Sequence, residues 1–278
     1  MTEFVNRDAA VVAGFGDEWS RFDQRALGAD ERAELFEAYF SIFPWEALPE
    51  GARGIDVGCG SGRWAALVAE RVGALLCVDA SPVAAAVADR ALSGLPQCRV
   101  LVASVDALPV EDGTLDFAYS LGVLHHVPDT LAGLKAVVRT VKPGAPVLVY
   151  LYYAFDDRPA WFRRLWRVSD IARRGISRSP HSLRWALSQI IALLVYWPLA
   201  RAARLAEAMG RDVDALPLSF YRRRSLYVMR TDALDRFGTR LEQRFTREQV
   251  AALMTASGLV DVIFRDAAPY WVAVGVRA

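Results

Sequence analysis

The sequence predicts an α/β fold built on a mainly parallel sheet, and three observations carry that expectation. Between Arg53 and Leu151, short β-branched apolar runs alternate with amphipathic stretches of helical spacing. One of those runs, Ile55-Asp56-Val57, leads through Gly58, Gly60 and Gly62 into a helix-like stretch. Acidic residues, Asp56, Asp79 and Asp106, then stand at or near the ends of three successive strands.

The predicted strands are 54–57, 74–78, 100–103, 115–119 and 147–151, each bounded by Gly, Asp or Pro. The intervening helices are 63–71, 82–92 and 131–141. Ser81-Pro82 supplies an N-cap and a proline at the first helical position. Strands and helices alternating at this spacing imply right-handed crossovers between parallel strands. Near the C-terminus, Thr246 and Gln249 form a capping-box pair, Gly258 closes that helix, and 260–264 and 270–276 read as a hairpin.

The 278 residues allow one or two domains. With 54% hydrophobic and 23% charged residues the chain is no disordered polymer. Cys59, Cys77 and Cys98 lack the paired spacing of a zinc site or disulfide framework. The first residues do not read as a signal peptide, so the expected setting is cytoplasmic. A net charge of +1 gives no general reason to expect nucleic acid. The charge is nevertheless uneven: 156–240 holds 17 Arg against 8 Asp and Glu. That region interrupts the alternating pattern and reads as a helical insert. Its apolar run, 185–200, is shorter than the roughly 20 residues a membrane span needs, so the expectation is a buried cap helix.

Glycines after a strand let a ligand approach the backbone, and the following helix end is electropositive. A dinucleotide fingerprint would place its third glycine at 63, where Arg63 stands, which weakens a dinucleotide reading. Asp79, 21 residues after Gly58, has the spacing of a carboxylate that accepts from ribose hydroxyls. Asp106 is suited to accept from an adenine amine. Each acid alone is an ordinary loop carboxylate; the run of three together with the glycine loop is specific.

The stretches GIDVGCGSGRW, CVDAS, SVDALPVEDGTLDFAYSLGVLHHVPD and VKPGAPVLVY resemble the successive motifs of class I S-adenosylmethionine-dependent methyltransferases. The closest likeness is to the small-molecule branch that contains the ubiquinone and sterol methylating enzymes. The resemblance implies a Rossmann-like seven-stranded methyltransferase sheet whose last strand is antiparallel, with a helical cap inserted after strand five. The implied organisation is an N-terminal cofactor-covering segment (1–50), a cofactor-binding core (51–153 and 244–278) and a substrate insert (154–243). It further implies S-adenosylmethionine as methyl donor, with S-adenosylhomocysteine as product. Gly58 and Gly60 would line the methionine portion and Asp56 would help fix its amino group, with Cys59 and Arg63 also counted among the cofactor-binding residues. Asp79, Ala80 and Ser81 would hold the nucleoside and Val105 and Asp106 the adenine, while Leu121 would face the methionine. Trp19, in Phe15-Gly16-Asp17-Glu18-Trp19, would close over the cofactor and offer its face to the sulfonium. Trp19 and Phe22 serve equally well as packing residues of an N-terminal helix.

His125 and His126 follow the fourth strand. A histidine here would serve as general base toward an acceptor hydroxyl or amine, or would simply tie down the loop. Without a third ligand the pair makes a poor metal site, and no metal is expected. Trp161, Trp166, Trp185, Tyr196 and Trp197 would wall an apolar pocket or pack on one another. Tyr152, Tyr153, Tyr221, Arg222 and Arg224 are the candidate acceptor-binding residues, the arginines matching a carboxylate or phosphate. Trp, Leu and Arg together also describe an amphipathic helix on an anionic membrane. The expected reaction is in-line methyl transfer to an oxygen, nitrogen or carbon of a small apolar or anionic acceptor, such as a natural product, quinone or lipid-like metabolite. Two alternatives remain: a non-catalytic binding or assembly protein on the same fold, and an RNA or protein methyltransferase using the basic insert.

Overall fold

A computed structural model describes residues 6–278. Its helices are α1 (Ala9–Arg21), α2 (Ala29–Phe40), α3 (Arg63–Val68), α4 (Pro82–Leu92), α5 (Thr130–Thr140), α6 (Ala160–Ile176), α7 (His181–Ile191), α8 (Trp197–Ala208), α9 (Leu226–Gly238) and α10 (Arg247–Ala256). The strands are β1 (Arg53–Val57), β2 (Ala74–Asp79), β3 (Cys98–Val102), β4 (Phe117–Leu121), β5 (Pro146–Tyr150), β6 (Leu259–Phe264) and β7 (Val272–Arg277). They form one seven-stranded sheet in the order β3-β2-β1-β4-β5-β7-β6. The first five strands are parallel, and β7 runs antiparallel to both β5 and β6.

Local chemistry explains why these segments start where they do. Ser81 accepts from Ala84 N with Pro82 behind it, Asp129 accepts from Ala132 N, and Thr246 and Gln249 form the reciprocal capping box. The central strands β4 and β5 are buried along almost their whole length, as strands covered on both faces must be. The edge strands show the opposite: Val102 on β3 and Val260 and Ile263 on β6 are exposed. The expected fourth strand, 115–119, lies two residues later at 117–121, because Leu115 makes only an isolated bridge to Val141. Strand order reverses between β1 and β4, and the loops leaving their carboxyl ends are where open α/β sheets bind ligands.

The chain divides into two compact units. One holds the sheet and comprises the chain up to Gln24 with Arg32–Ala154 and Leu241–Ala278; the other comprises Arg25–Glu31 and Phe155–Arg240. The segment 1–50, read from sequence as one element, is therefore shared between them. The insert ends a few residues before the expected 243, because Gln243 N donates to His125 O and Phe245 N to Tyr152 O, binding this stretch to the sheet unit.

The second unit is helical. Ala192, Tyr196, Ala200, Met229, Ala233 and Phe237 make its core. Two buried arginines finish α9: Arg184 donates to Gly238 O at 2.8 Å and Arg173 to Thr239 O at 2.9 Å. The helix from α7 runs through a π turn (Ala192–Tyr196) into α8 without a break. The apolar run is thus part of a 28-residue helix, His181–Ala208, which by length and composition alone is long enough to cross a membrane. The argument from a short run is corrected on that point.

Gly54 sits in β1 against the ring of Phe117, and a Cβ there would fall 2.1 Å from a ring carbon. Gly54→Ala is expected to cost about 3 kcal/mol of unfolding free energy through overpacking of the central strands. Urea denaturation of wild type and variant checks this.

Candidate active site at the carboxyl edge of the sheet

The glycine loop is shaped by the protein before any ligand is considered. Gly58, Gly60 and Gly62 have φ of +82°, +55° and +76°, a region costly for side-chain-bearing residues. A Cβ on Gly58 would lie 2.2 Å from Val123, and one on Gly60 would lie 2.8 Å from the Trp19 ring. The loop's amides are largely spent internally. Gly58 N and Cys59 N both donate to Val78 O, Gly62 N to Cys59 O, and Gly60 N to Asp79 Oδ2.

Asp79, at the tip of β2, clasps this loop. Its Oδ2 accepts from Gly60 N at 3.0 Å and its Oδ1 from Ser81 N at 2.8 Å. Burial raises its pKa above the ordinary carboxylate value, against the lowering pull of these two donors. Each oxygen keeps a second lone pair for a hydroxyl. Ala80 and Ser81 follow directly, with Ser81 spent on capping α4.

Asp106 follows β3. Its Oδ2 accepts from Asn6 N at 3.1 Å, whereas its Oδ1 is buried with no hydrogen-bond partner. Ser61 Oγ in the glycine loop is orphaned in the same way. Buried polar atoms without protein partners are completed by solvent or by a ligand. Val105 is buried, and Leu121 is half-buried at the tip of β4. Asn6 also ties its amide to the backbone of Asp129 in both directions. Nothing in the local sequence pattern signals this role.

α1 crosses the strand tips within the same unit. Phe15 packs on His126 with ring centroids 5.0 Å apart, Gly16 approaches Ser81 so closely that a Cβ would lie 2.6 Å from its Oγ, and Trp19 covers Gly60. Arg63 stacks over Trp64 at 4.3 Å, lies 5.7 Å from the Trp19 ring and donates to Gln24.

Asp56 points into the core rather than the loop. Its Oδ2 accepts from Tyr119 Oη at 2.9 Å. Burial pushes its pKa up to about 8; the Tyr119 hydrogen bond opposes the rise and the Asp79 charge adds to it. The two histidines have separate surroundings. His126 Nδ1 lies 2.7 Å from Leu241 O, so it carries the proton and anchors the 241–245 stretch. His125 is fully buried and stacks on Tyr152 at 3.7 Å, with no hydrogen-bond partner on either ring nitrogen. Burial, and then the neighbouring His126 and Arg244, hold its pKa well below the ordinary imidazole value.

The acceptor residues expected from sequence are divided between the two units. Tyr152 lies against His125, with Arg244 5.1 Å above its ring. Tyr153 is instead a core residue against Tyr270 and Trp271. In the second unit, Tyr221 donates to Asp232, and Arg222 is held by Glu207 at 2.9 Å and Asp214 at 3.5 Å. Arg224 lies over Phe220. The expectation of an arginine cluster free for an anionic acceptor is corrected by these internal ion pairs. Nor do the insert's aromatics form one wall: Tyr196 is in the core, while Trp161 and Trp197 are half exposed.

Asp56 gives a testable pH dependence. Between the ordinary carboxylate value and about 8 the folded protein holds a proton that the unfolded chain releases, so Asp56 makes stability fall as pH rises through that window. Relative to wild type, Asp56→Asn is expected to gain about 1.4 kcal/mol per pH unit from roughly pH 5 upward, levelling near the folded pKa. Denaturant titrations across that range provide the measurement.

Comparison with known proteins places this geometry. Residues 55–149 match a family model described as a methyltransferase domain. The demethylmenaquinone methyltransferase of Bacillus licheniformis is 32% identical over 104 residues, 36% of this chain and 45% of that protein. The sterol 4-C-methyltransferase strm-1 of Caenorhabditis elegans is 28% identical over 106 residues, covering 37% and 32%. The match to each of these relatives spans less than half of its length. The ubiquinone biosynthesis O-methyltransferase of Xanthomonas campestris pv. campestris is 28% identical over 188 residues, 67% of this chain and 74% of that protein. A phosphoethanolamine N-methyltransferase structure from Haemonchus contortus shares the fold, with TM-score 0.50 and 16% identity over 93% of this chain and 44% of that one. Through residues 55–149 the chain is similar to the class I S-adenosylmethionine-dependent methyltransferases, and the curated relatives it matches there are named for quinone and sterol methylation.

Proposed function

We propose that the protein transfers a methyl group from S-adenosylmethionine to an oxygen, nitrogen or carbon atom of a small apolar or anionic acceptor, of the natural-product, quinone or lipid-like kind. The observation that carries this reading is the set of polar atoms left over along the carboxyl edge: the second lone pairs of Asp79, the orphaned Asp106 Oδ1 and the orphaned Ser61 Oγ. They suit, in turn, ribose hydroxyls, an adenine amine and a polar atom of the methionine moiety. The relatives named for quinone and sterol methylation support the acceptor class.

When bound, S-adenosylmethionine supplies an already activated methyl group, so the protein's task is alignment and exclusion of water. Asp79 and Asp106 fix the nucleoside. Trp19 presents an aromatic face beside the glycine loop, where a sulfonium is attracted to its π-electrons. Asp56, protonated at neutral pH, serves the core through Tyr119 and leaves Asp79 as the nearby carboxylate toward the ligand.

His125 is the general base in this reading. Its depressed pKa keeps the imidazole neutral at working pH, and one ring nitrogen is free to accept an acceptor's proton. His126 positions it through the Leu241 anchor.

Calorimetric titration with S-adenosylmethionine and S-adenosylhomocysteine tests the cofactor. Wild type is expected to bind at micromolar Kd, and Asp79→Ala to weaken binding at least thirtyfold; a folded wild type that binds neither ligand overturns the proposal. For the base, His125→Gln is expected to lower kcat roughly a hundredfold with cofactor affinity retained. Because the folded pKa lies below the ordinary imidazole value, the wild-type acid limb is expected below about pH 6.5. An acid limb that persists unchanged in His125→Gln assigns it to another group.

A further inference from the structure

We propose that the helical unit docks on an anionic lipid bilayer, with its outer helices lying in the plane of the interface. The proposal stands apart from the methyl-transfer reading, since it concerns the outer surface of this unit alone.

Two helices carry the argument. On α6, Trp161, Leu165 and Val168 recur at helical spacing and are exposed; Leu165 is 51% and Val168 65% accessible. Arg163, Arg164 and Arg167 are exposed on the same helix, with Arg164 beside that stripe and Arg167 and Arg163 further round its solvent face. On the long helix, Ile190 and Leu194 face outward, Leu194 at 72% accessibility, while Ala192, Tyr196 and Ala200 on the opposite face build the unit's core. Only a third of the most apolar window of His181–Ala208 is buried. Exposed apolar residues clustered along a helix face mark interaction surfaces.

The charge selects the occupant. From Pro159 to Ala206 the chain has nine arginines and a single acid, Asp170. Asp170 is buried and spent on Arg173 and the exposed Arg174. A second copy of this face would meet its own arginines. An anionic headgroup layer answers both features, taking the apolar side chains into its acyl boundary and the guanidinium groups against phosphate. A spanning arrangement is opposed by the inner face, where Arg184 and Gln189 are buried and bonded to Gly238 O and Arg230.

The test is co-sedimentation of the full chain with large unilamellar vesicles, either pure phosphatidylcholine or the same lipid with about one-third phosphatidylglycerol. Neither contains a methyl acceptor, so failure of the methyl-transfer reading leaves the result intact. Binding is expected to the anionic vesicles only and to weaken steeply between roughly 0.05 and 0.5 M salt. Replacing Arg163, Arg164 and Arg167 together by Gln is expected to weaken it about a hundredfold. The pair Ile190→Glu and Leu194→Glu is expected to abolish it, with circular dichroism melting confirming that each variant folds. No vesicle binding by wild type, or equal binding to both lipids, overturns the proposal. So does a light-scattering dimer that the Glu pair dissociates, or resistance of the cellular protein to alkaline carbonate extraction.

Discussion

The carboxyl edge of the sheet depends on one carboxylate that holds two backbone amides at once. By accepting from Gly60 and Ser81, Asp79 fixes the glycine loop against the start of α4. That clasp sets where Trp19 rests on Gly60, and it keeps the loop's donors turned inward.

The same region keeps its other titratable groups neutral. Asp56 and His125 are both buried, and burial drives their pKa values in opposite directions, toward the uncharged form of each. Asp56 finds a partner in Tyr119, whereas neither ring nitrogen of His125 has a hydrogen-bond partner. The contrast separates a carboxyl that belongs to the core from an imidazole left with unspent hydrogen-bonding capacity. An unspent buried group costs stability, and active sites are where such costs are tolerated.

Much of this was legible in the sequence because it is local. Ser81-Pro82, the Thr246 and Gln249 box, the glycine positions and the Asp79 spacing each depend on residues within a few positions of one another, or on a repeat of fixed length. What escaped were contacts between distant segments. Asn6 meeting Asp106 and Asp129, Val123 filling the space beside Gly58, and Glu207 claiming Arg222 leave no periodic trace. The arginine triplet at 222–224 illustrates the error in its plainest form. A run of cations read without its tertiary partners looks available, and here two acids from other turns of the chain hold Arg222. The apolar run at 185–200 misled for the opposite reason. Its edges were drawn by hydrophobicity, while the helix continues on both sides through polar residues such as Ser182, Arg184, Arg201 and Arg204.

Asn6 carries a consequence in chemical durability. Its Nδ2 donates to Asp129 O at 2.8 Å while its Oδ1 accepts from Asp129 N at 2.9 Å, a two-way match that a carboxylate has no means to reproduce. Deamidation at this one position would set an acceptor against the Asp129 carbonyl and bring a new negative charge toward Asp106, whose Oδ2 is bound to the Asn6 backbone. The N-terminal strap over the strand tips would then loosen through hydrolysis of a single amide. The storage lifetime of a preparation would be written in the mass of its N-terminal peptide before it showed in the fold.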